Sequence, residues 1–460
     1  MGPTRERGGA DTVGQGWDTV TNGGGDGHVD VDLSTFNPFD PGVLQCPFPY
    51  YERMRSDAPV FVVPGFGVAL VTRHDLVLEV LRDAHTYSSR FGSFGAAGDR
   101  EARARIAEVV AEGYPRTATL LTTDPPEHTR YRALVSRAFH PRAVAAMEPM
   151  VRSVVSSLLD AWADRTHVEF VQDFAVPLPV TVIARALNVP EDRMDDFKRW
   201  SDDSVATVGT DLSLEQRLAA ERGVNEFQHY FAGEIARREA MPQDDLLTHL
   251  VQARMDDAEA ADARPLDVAE MLSIIQQLLV AGNETTTKML AEMMLLLGTH
   301  PAVWETVQND PGSAERIVEE TMRLSAPVQG MWRLVTTDTE LGGVPLAKGT
   351  RVVAVYASAN RDERLFPDPD VFDPGRANVR EHLAFGRNTH FCLGAGLARL
   401  EARVALEELA RRLRSFSLVS PDDLAYSPSF LLRGLVRLDL SVEFWAAGGE
   451  RGGMRTTTGR

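Results

Sequence analysis

A mainly α-helical chain with a small β-rich subregion is what the sequence predicts, and three observations carry that prediction. Apolar residues recur at helical spacing along Val268, Met271, Leu272, Ile275, Leu278, Leu279, Gly282, Met289, Leu290, Met293 and Leu297. Further helical windows flank that stripe on both sides. The β-type runs are few and short, and they gather near residues 60–72 and 332–355.

Residues 1–32 are rich in Gly, Asp and Thr and cannot bury enough apolar surface to offset their ordering entropy. A disordered N-terminal segment is expected there, and a flexible tail over 446–460. Folding should begin near Phe36, with a helix over 50–56. Strands at 60–63 and 68–72 flank the turn Pro64-Gly65 and read as a hairpin. A helix over 74–81 follows. Residues 88–117 lack clean periodicity and read as loop.

Asp124-Pro125-Pro126-Glu127-His128 opens the next helix with proline in its first turn, where a missing N–H costs least. His128 and Arg132 then stand at i and i+4 on one face. Helices are predicted over 151–162, 177–187, 193–208 and 214–238.

The long stripe starts at a capping-box pair, Asp267 and Glu270, and stops at Gly298 and Pro301. About 30 residues at ~1.5 Å each would cross a whole domain. Its centre, Ala281-Gly282-Asn283-Glu284-Thr285-Thr286-Thr287, puts a glycine, an acid and three threonines where a buried helix favours Leu or Ala. The glycine alone costs on the order of 1 kcal/mol of helix propensity, and such violations cluster at functional sites. A close helix–helix contact is the plainer explanation of small residues there.

A helix over 314–324 carries Glu320 and Arg323 at i and i+3, a spacing common on surfaces. Short β patterns follow at 332–336, 340–341 with the turn Gly342-Gly343, and 351–355. Phe372-Asp373-Pro374-Gly375-Arg376 lies downstream. Then comes Phe385-Gly386-Arg387-Asn388-Thr389-His390-Phe391-Cys392-Leu393-Gly394-Ala395-Gly396, a turn-rich loop that ends in a cysteine at the opening of a helix. Unpaired N–H groups and the helix dipole there should favour thiolate. A single cysteine is otherwise a small buried hydrophobe.

The spacing of Phe385, Gly386, His390, Cys392 and Gly394 resembles the haem-binding loop of cytochrome P-450 monooxygenases. Asn388 departs from it by standing where the family usually has Gly; asparagine tolerates φ > 0 best among other residues, so the turn should survive. Ala-Gly-x-Glu-Thr-Thr at 281–286 resembles the family's oxygen-activation motif, and Asp-Pro-Pro-x-His-x-x-x-Arg at 124–132 its haem-propionate helix.

The resemblance implies a cytochrome P-450 fold over 33–445 as one catalytic domain, with haem b (iron protoporphyrin IX) between the long central helix and the helix after the Cys loop. It implies that Cys392 is the thiolate ligand of the iron, and that His128, Arg132, Arg333 and His390 bind the propionates. Gly282 makes room for O2, Thr285 donates to it, and Glu284 relays protons. Glu320, Arg323 and Arg376 form a buried network that braces the haem loop. The helices over 193–208 and 214–238 match a lid over the substrate channel. Phe91, Phe94, Phe430 and Leu431 are candidate substrate contacts.

The implied reaction inserts one oxygen atom from O2 into a hydrophobic small molecule of steroid, fatty acid, terpene or macrolide type. Electrons come ultimately from NAD(P)H through a ferredoxin reductase and a ferredoxin. Arg130, Arg137, Arg387, Arg399 and Arg403 are candidates for a basic docking face. A peroxide-dependent oxygenase or a non-enzymatic haem sensor or carrier is the alternative, and neither needs the Glu284–Thr285 pair.

Composition excludes other classes. A net charge of −18 without a basic tract argues against nucleic acid. Two cysteines cannot build a disulfide framework, and a reducing cytoplasm fits. No signal peptide or membrane anchor is expected, because Asn283, Glu284 and Lys288 interrupt the most apolar stretch.

Overall fold

The computed structural model describes residues 31–91, 100–206, 212–253 and 264–445. Six helices position the site: α1 (Glu127–Ser136), α2 (Met194–Ala206), α3 (Leu214–Ala240), α4 (Val268–Thr299), α5 (Ala314–Ser325) and α6 (Ala395–Arg412). The strands are β1 (Val60–Val63), β2 (Val68–Val71), β3 (Tyr87–Ser88), β4 (His167–Glu169), β5 (Met331–Val335), β6 (Thr339–Leu341), β7 (Val344–Leu346), β8 (Arg351–Ala354), β9 (Leu413–Leu418) and β10 (Asp439–Phe444). The fold is mainly α-helical with a small β region.

Helix α4 is the axis. The Asp267 side chain accepts from Glu270 N at 2.9 Å and the Glu270 side chain accepts from Asp267 N at 2.9 Å, a reciprocal cap of the kind that contributes ~1 kcal/mol. The helix then runs 32 residues, to Thr299, and Pro301 opens the next one. At ~1.5 Å per residue it is ~48 Å long.

The apolar stripe of α4 feeds two separate cores. Its first half, Met271 to Leu279, packs with Phe197 and Trp200 of α2 and with Phe227 and Phe231 of α3. Its second half, Met289 to Leu297, packs with Leu400, Val404, Leu406 and Leu409 of α6 and with Ile317 and Val318 of α5. Residues 280–288 belong to neither cluster. The central interruption in the sequence thus coincides with the boundary between two apolar clusters, which Phe139, Met147 and Val176 bridge.

Strands β1, β2, β8, β5 and β3 form one sheet in that order, with only the β2–β8 pair parallel. β6 and β7 form a hairpin whose turn residues Gly342 and Gly343 have φ of +57° and +83°, values that a two-residue hairpin turn demands and glycine adopts without strain. β4, β10 and β9 form a third sheet, absent from the sequence expectations, as are the helices Arg100–Ala111, Leu246–Gln252 and Pro301–Asn309. Among the described residues no helix is long and apolar enough to cross a membrane.

Candidate functional site

The cysteine loop is built by backbone. Gly386 N donates to Leu383 O at 2.8 Å, Cys392 N to Phe385 O at 2.9 Å, and Phe391 N to Asn388 O at 3.1 Å. Two residues lie in the left-handed region, Gly386 at φ +66° and Asn388 at φ +56°. Asparagine therefore takes the conformation that the turn requires, as its side chain allows. Gly394 caps α6, and a Cβ built on it meets no atom within 4 Å.

Cys392 packs against the α5–α6 core while its neighbour Leu393 packs against the core under α2 and α3. The loop therefore lies at the same boundary between clusters as the centre of α4. The thiol does not behave as helix-end arguments predicted. Burial pushes it above its ordinary value, against hydrogen bonds from the Gly394 and Ala395 backbone and the charges of Arg132 and Arg399. Desolvation outweighs the helix terminus and the two arginines, and a cation beside the sulfur would favour the thiolate form.

Ala281 and Gly282 are exposed although they sit midway along a helix that crosses the molecule, and a Cβ on Gly282 meets nothing within 4 Å. Thr286, Thr287 and Asn283 are buried. Asn283 Nδ2 donates to Ser201 Oγ of α2 at 2.8 Å, and Thr287 Oγ1 to Ala175 O at 2.9 Å. Thr285 Oγ1 donates to Ala281 O at 2.7 Å. Glu284 pairs with Lys288, a partner that sequence reading missed although the i,i+4 spacing signals it.

Four basic groups converge. The His128 and His390 rings lie 4.3 Å apart, and His390 Nε2 is 2.9 Å from Ser89 Oγ. Burial, then the charges of Arg333 and His128, push His390 down to about 3, so it is neutral near pH 7. Burial also lowers His128, with Arg132 adding to it. Arg333 is buried and donates to Trp332 O at 2.7 Å. None of the four forms an ion pair among the described residues. The nearby acid, Asp124, is taken by Ser88 Oγ at 2.5 Å and Ser89 N at 2.7 Å. Two arginines and two histidines without a carboxylate fit an anionic edge such as two propionates. A soft sulfur ligand and the space beside Gly282 complete a donor set that fits haem b.

Below the loop, Glu320 lies at the centre of a fully buried network. Arg323 Nε and Nη2 donate to its two oxygens at 2.8 Å each, Arg376 Nε at 3.3 Å, and Asp373 N at 3.0 Å. A second brace was not anticipated. Glu319, next in sequence, accepts from His382 Nε2 at 3.0 Å and from Arg399, whose guanidinium lies 4.4 Å over the Phe385 ring. Burial pushes the Glu319 carboxyl up, but hydrogen bonds from His382 and Arg399 outweigh it and hold it down at about 2, against an ordinary 4.5. A depressed carboxyl stabilises the fold above its unfolded value and loses that contribution as pH falls through the folded one. Stability is expected to drop between pH 4.5 and 2, and Glu319→Gln should flatten that part of a pH-dependent unfolding curve. An unchanged slope would refute the brace.

Of the substrate candidates, Phe91, Phe430 and Leu431 pack on one cluster around Trp332 and Val353; Phe94 lies outside the described residues. The proposed basic face needs correction at Arg130. That residue is buried, with Nη1 3.0 Å from Glu270 Oε1, and so clamps α1 to the start of α4. Arg399 is held by Glu319, and Arg403 by Glu148 and Glu407 at 2.7 Å each. Arg137 is exposed and Arg387 partly so.

Comparison with known proteins gives a consistent picture. The family model described as "Cytochrome P450" matches residues 216–439. Erythromycin C-12 hydroxylase of Saccharopolyspora erythraea is 38% identical over 375 residues, covering 80% of this chain and 88% of that protein. The structure of cytochrome P450 CYP109Q5 from Chondromyces apiculatus superposes with a TM-score of 0.79 at 35% identity, covering 90% of this chain and 100% of that one. CYP109E1 from Bacillus megaterium, in complex with testosterone, gives 0.73 at 32% identity, covering 86% and 99%.

Proposed function

Because the chain belongs to the cytochrome P450 family and is a monooxygenase acting on hydrophobic substrates, we propose that residues 33–445 are a haem-thiolate catalytic domain taking a steroid- or macrolide-type substrate. The observation that carries the reading is that the Cys392 loop and the interrupted centre of α4 both lie at the boundary between two apolar clusters, with four basic side chains converging nearby. When bound, haem b supplies the iron centre at which O2 is activated.

Each residue then has a role. Cys392 holds the iron through its sulfur. His128, Arg132, Arg333 and His390 hold the propionates, and Phe385, Gly386 and Gly394 shape the loop. Gly282 leaves room for O2, while Thr285 and Glu284 pass protons towards it. Glu320, Arg323 and Arg376 brace the loop. Phe91, Phe430 and Leu431 contact the substrate. The relative bound to testosterone and the erythromycin hydroxylase support the substrate class. Electrons pass from NAD(P)H through a ferredoxin reductase to a ferredoxin that docks near Arg137 and Arg387. Two free cysteines suit a reducing cytoplasm.

The test is reconstitution with a surrogate ferredoxin, its reductase and testosterone as probe. Hydroxylated product is expected. Thr285→Ala should lower product per NAD(P)H several-fold or more, because a positioned proton-transfer group is lost, while NAD(P)H consumption persists. Turnover driven equally well by peroxide alone, or full coupling in Thr285→Ala, would overturn the reading.

A further inference from the structure

Lys288 is a residue that neither the motif nor the haem site explains. It is buried, and its ammonium pairs with Glu284 one turn earlier on α4. A lysine in such a place costs desolvation energy unless an acid offsets it. The order Glu then Lys at i and i+4 is the favourable one on a helix.

The lysine stem is gripped as well. A Cβ built on Gly434 would stand 2.2 Å from Lys288 Cγ and 2.5 Å from its Cβ, so residue 434 must be glycine for the backbone to lie on that stem. One turn further along the same face, Glu292 Oε1 is 3.6 Å from Arg433 Nη1. Arg433 Nη2 in turn donates to Gln45 O at 3.0 Å, and the guanidinium lies 3.4 Å over the Tyr426 ring. Glu284, Lys288 and Glu292 thus make an acid–base–acid ladder at four-residue steps, and the chain segment carrying Phe430 and Leu431 returns along it. Leu431 O itself accepts from Gln329 N at 2.8 Å, which fixes the segment from its other side.

We propose that Lys288 is a positioning residue for proton delivery: it holds the Glu284 carboxylate and ties it, through its contact with Gly434, to the segment that carries Phe430 and Leu431. The inference rests on the reading of Glu284 as proton relay. Thr285 gives its hydrogen to Ala281 O rather than to Glu284, so Lys288 is the group that orients the carboxylate. Without it the acid turns freely, and proton delivery loses its timing. Oxygen that has taken up two electrons and two protons then escapes as H2O2.

The experiment uses the holoenzyme with a surrogate ferredoxin and reductase, without substrate, and measures the fraction of electrons recovered as H2O2. Glu284→Gln, Lys288→Met, Gly434→Ala and the double variant Glu284→Gln/Lys288→Met are compared. Each single change should raise the peroxide fraction several-fold, Gly434→Ala by pushing the lysine stem aside, and the double variant should be no worse than Glu284→Gln. Denaturant unfolding of the same holoproteins supplies a second readout, in which the Glu284–Lys288 cycle should be non-additive. Additive peroxide effects, or Lys288→Met and Gly434→Ala both at the wild-type fraction while Glu284→Gln raises it, overturn the role of Lys288. A wild-type fraction in Glu284→Gln with a non-additive unfolding cycle instead overturns the relay reading, and the inference with it.

Discussion

Replacing Cys392 by serine is expected to abolish the red-shifted Soret band of the reduced carbon-monoxide complex, and monooxygenation with it, while the polypeptide stays folded. The loop does not depend on the sulfur for its shape. Its turns are closed by backbone bonds at Leu383, Phe385 and Asn388, and two left-handed residues, Gly386 and Asn388, set its direction. Arg399 and Glu319 pin it from below through the Phe385 ring. Serine is nearly isosteric and fits that frame. What it lacks is the soft anionic sulfur that, on the proposed reading, would hold iron and push electron density towards it. Burial drives Cys392 towards the neutral thiol, so on the proposed reading bound iron would favour the thiolate. A serine hydroxyl, far less acidic, gains little from that exchange. The carbon-monoxide difference spectrum, read beside far-UV circular dichroism, decides the matter. A red-shifted band that survives in Cys392→Ser would remove Cys392 from the iron.

What was legible in the sequence was local. The Asp267–Glu270 cap, the ends of α4, the left-handed turn at Asn388 and the shared face of His128 and Arg132 each depend on residues within a few positions of one another. Long-range pairing was not legible. β10 joins β4 across more than two hundred residues and β9 across a few tens, and short strands of mixed polarity give no sign of it. Arg130 looked like a surface charge because the acid on its own helix, Glu127, stands at i−3 as in a solvated pair, yet Glu127 bonds Arg90, and the partner of Arg130, Glu270, lies 140 residues on. The helix Arg100–Ala111 escaped notice because it buries little apart from Val109, so almost no apolar period marks it. Glu319 and Lys288 were hidden differently. Both stand beside a recognised motif residue, and the motif says nothing about what its neighbours touch.

Arg323→Met should be the most destabilising single change in the bracing network, costing ~3–5 kcal/mol because it leaves a fully buried carboxylate with most of its pairing gone. Arg323 and Glu320 are both wholly inaccessible. Besides its two bonds to Glu320, Arg323 donates to the carbonyls of Asn360 at 2.9 Å, Pro369 at 2.6 Å and Val371 at 3.1 Å. Methionine fills much of the volume but satisfies none of these acceptors, and unpaired buried acceptors carry their own penalty. Arg376→Met should cost less. It gives up one weaker contact with Glu320, at 3.3 Å, and donations to Pro367, Asp368 and Val371, but Arg323 still neutralises the acid. Urea unfolding of the holoproteins should therefore rank Arg323→Met well below Arg376→Met, and both below wild type. The same order is expected in haem retention, because the 360–376 segment that Arg323 gathers also anchors Leu383 N on Asn360 Oδ1 at 2.6 Å, three residues before Gly386 of the cysteine loop. Equal losses in the two variants would mean that the carbonyl donations, rather than the charge on Glu320, hold this region together.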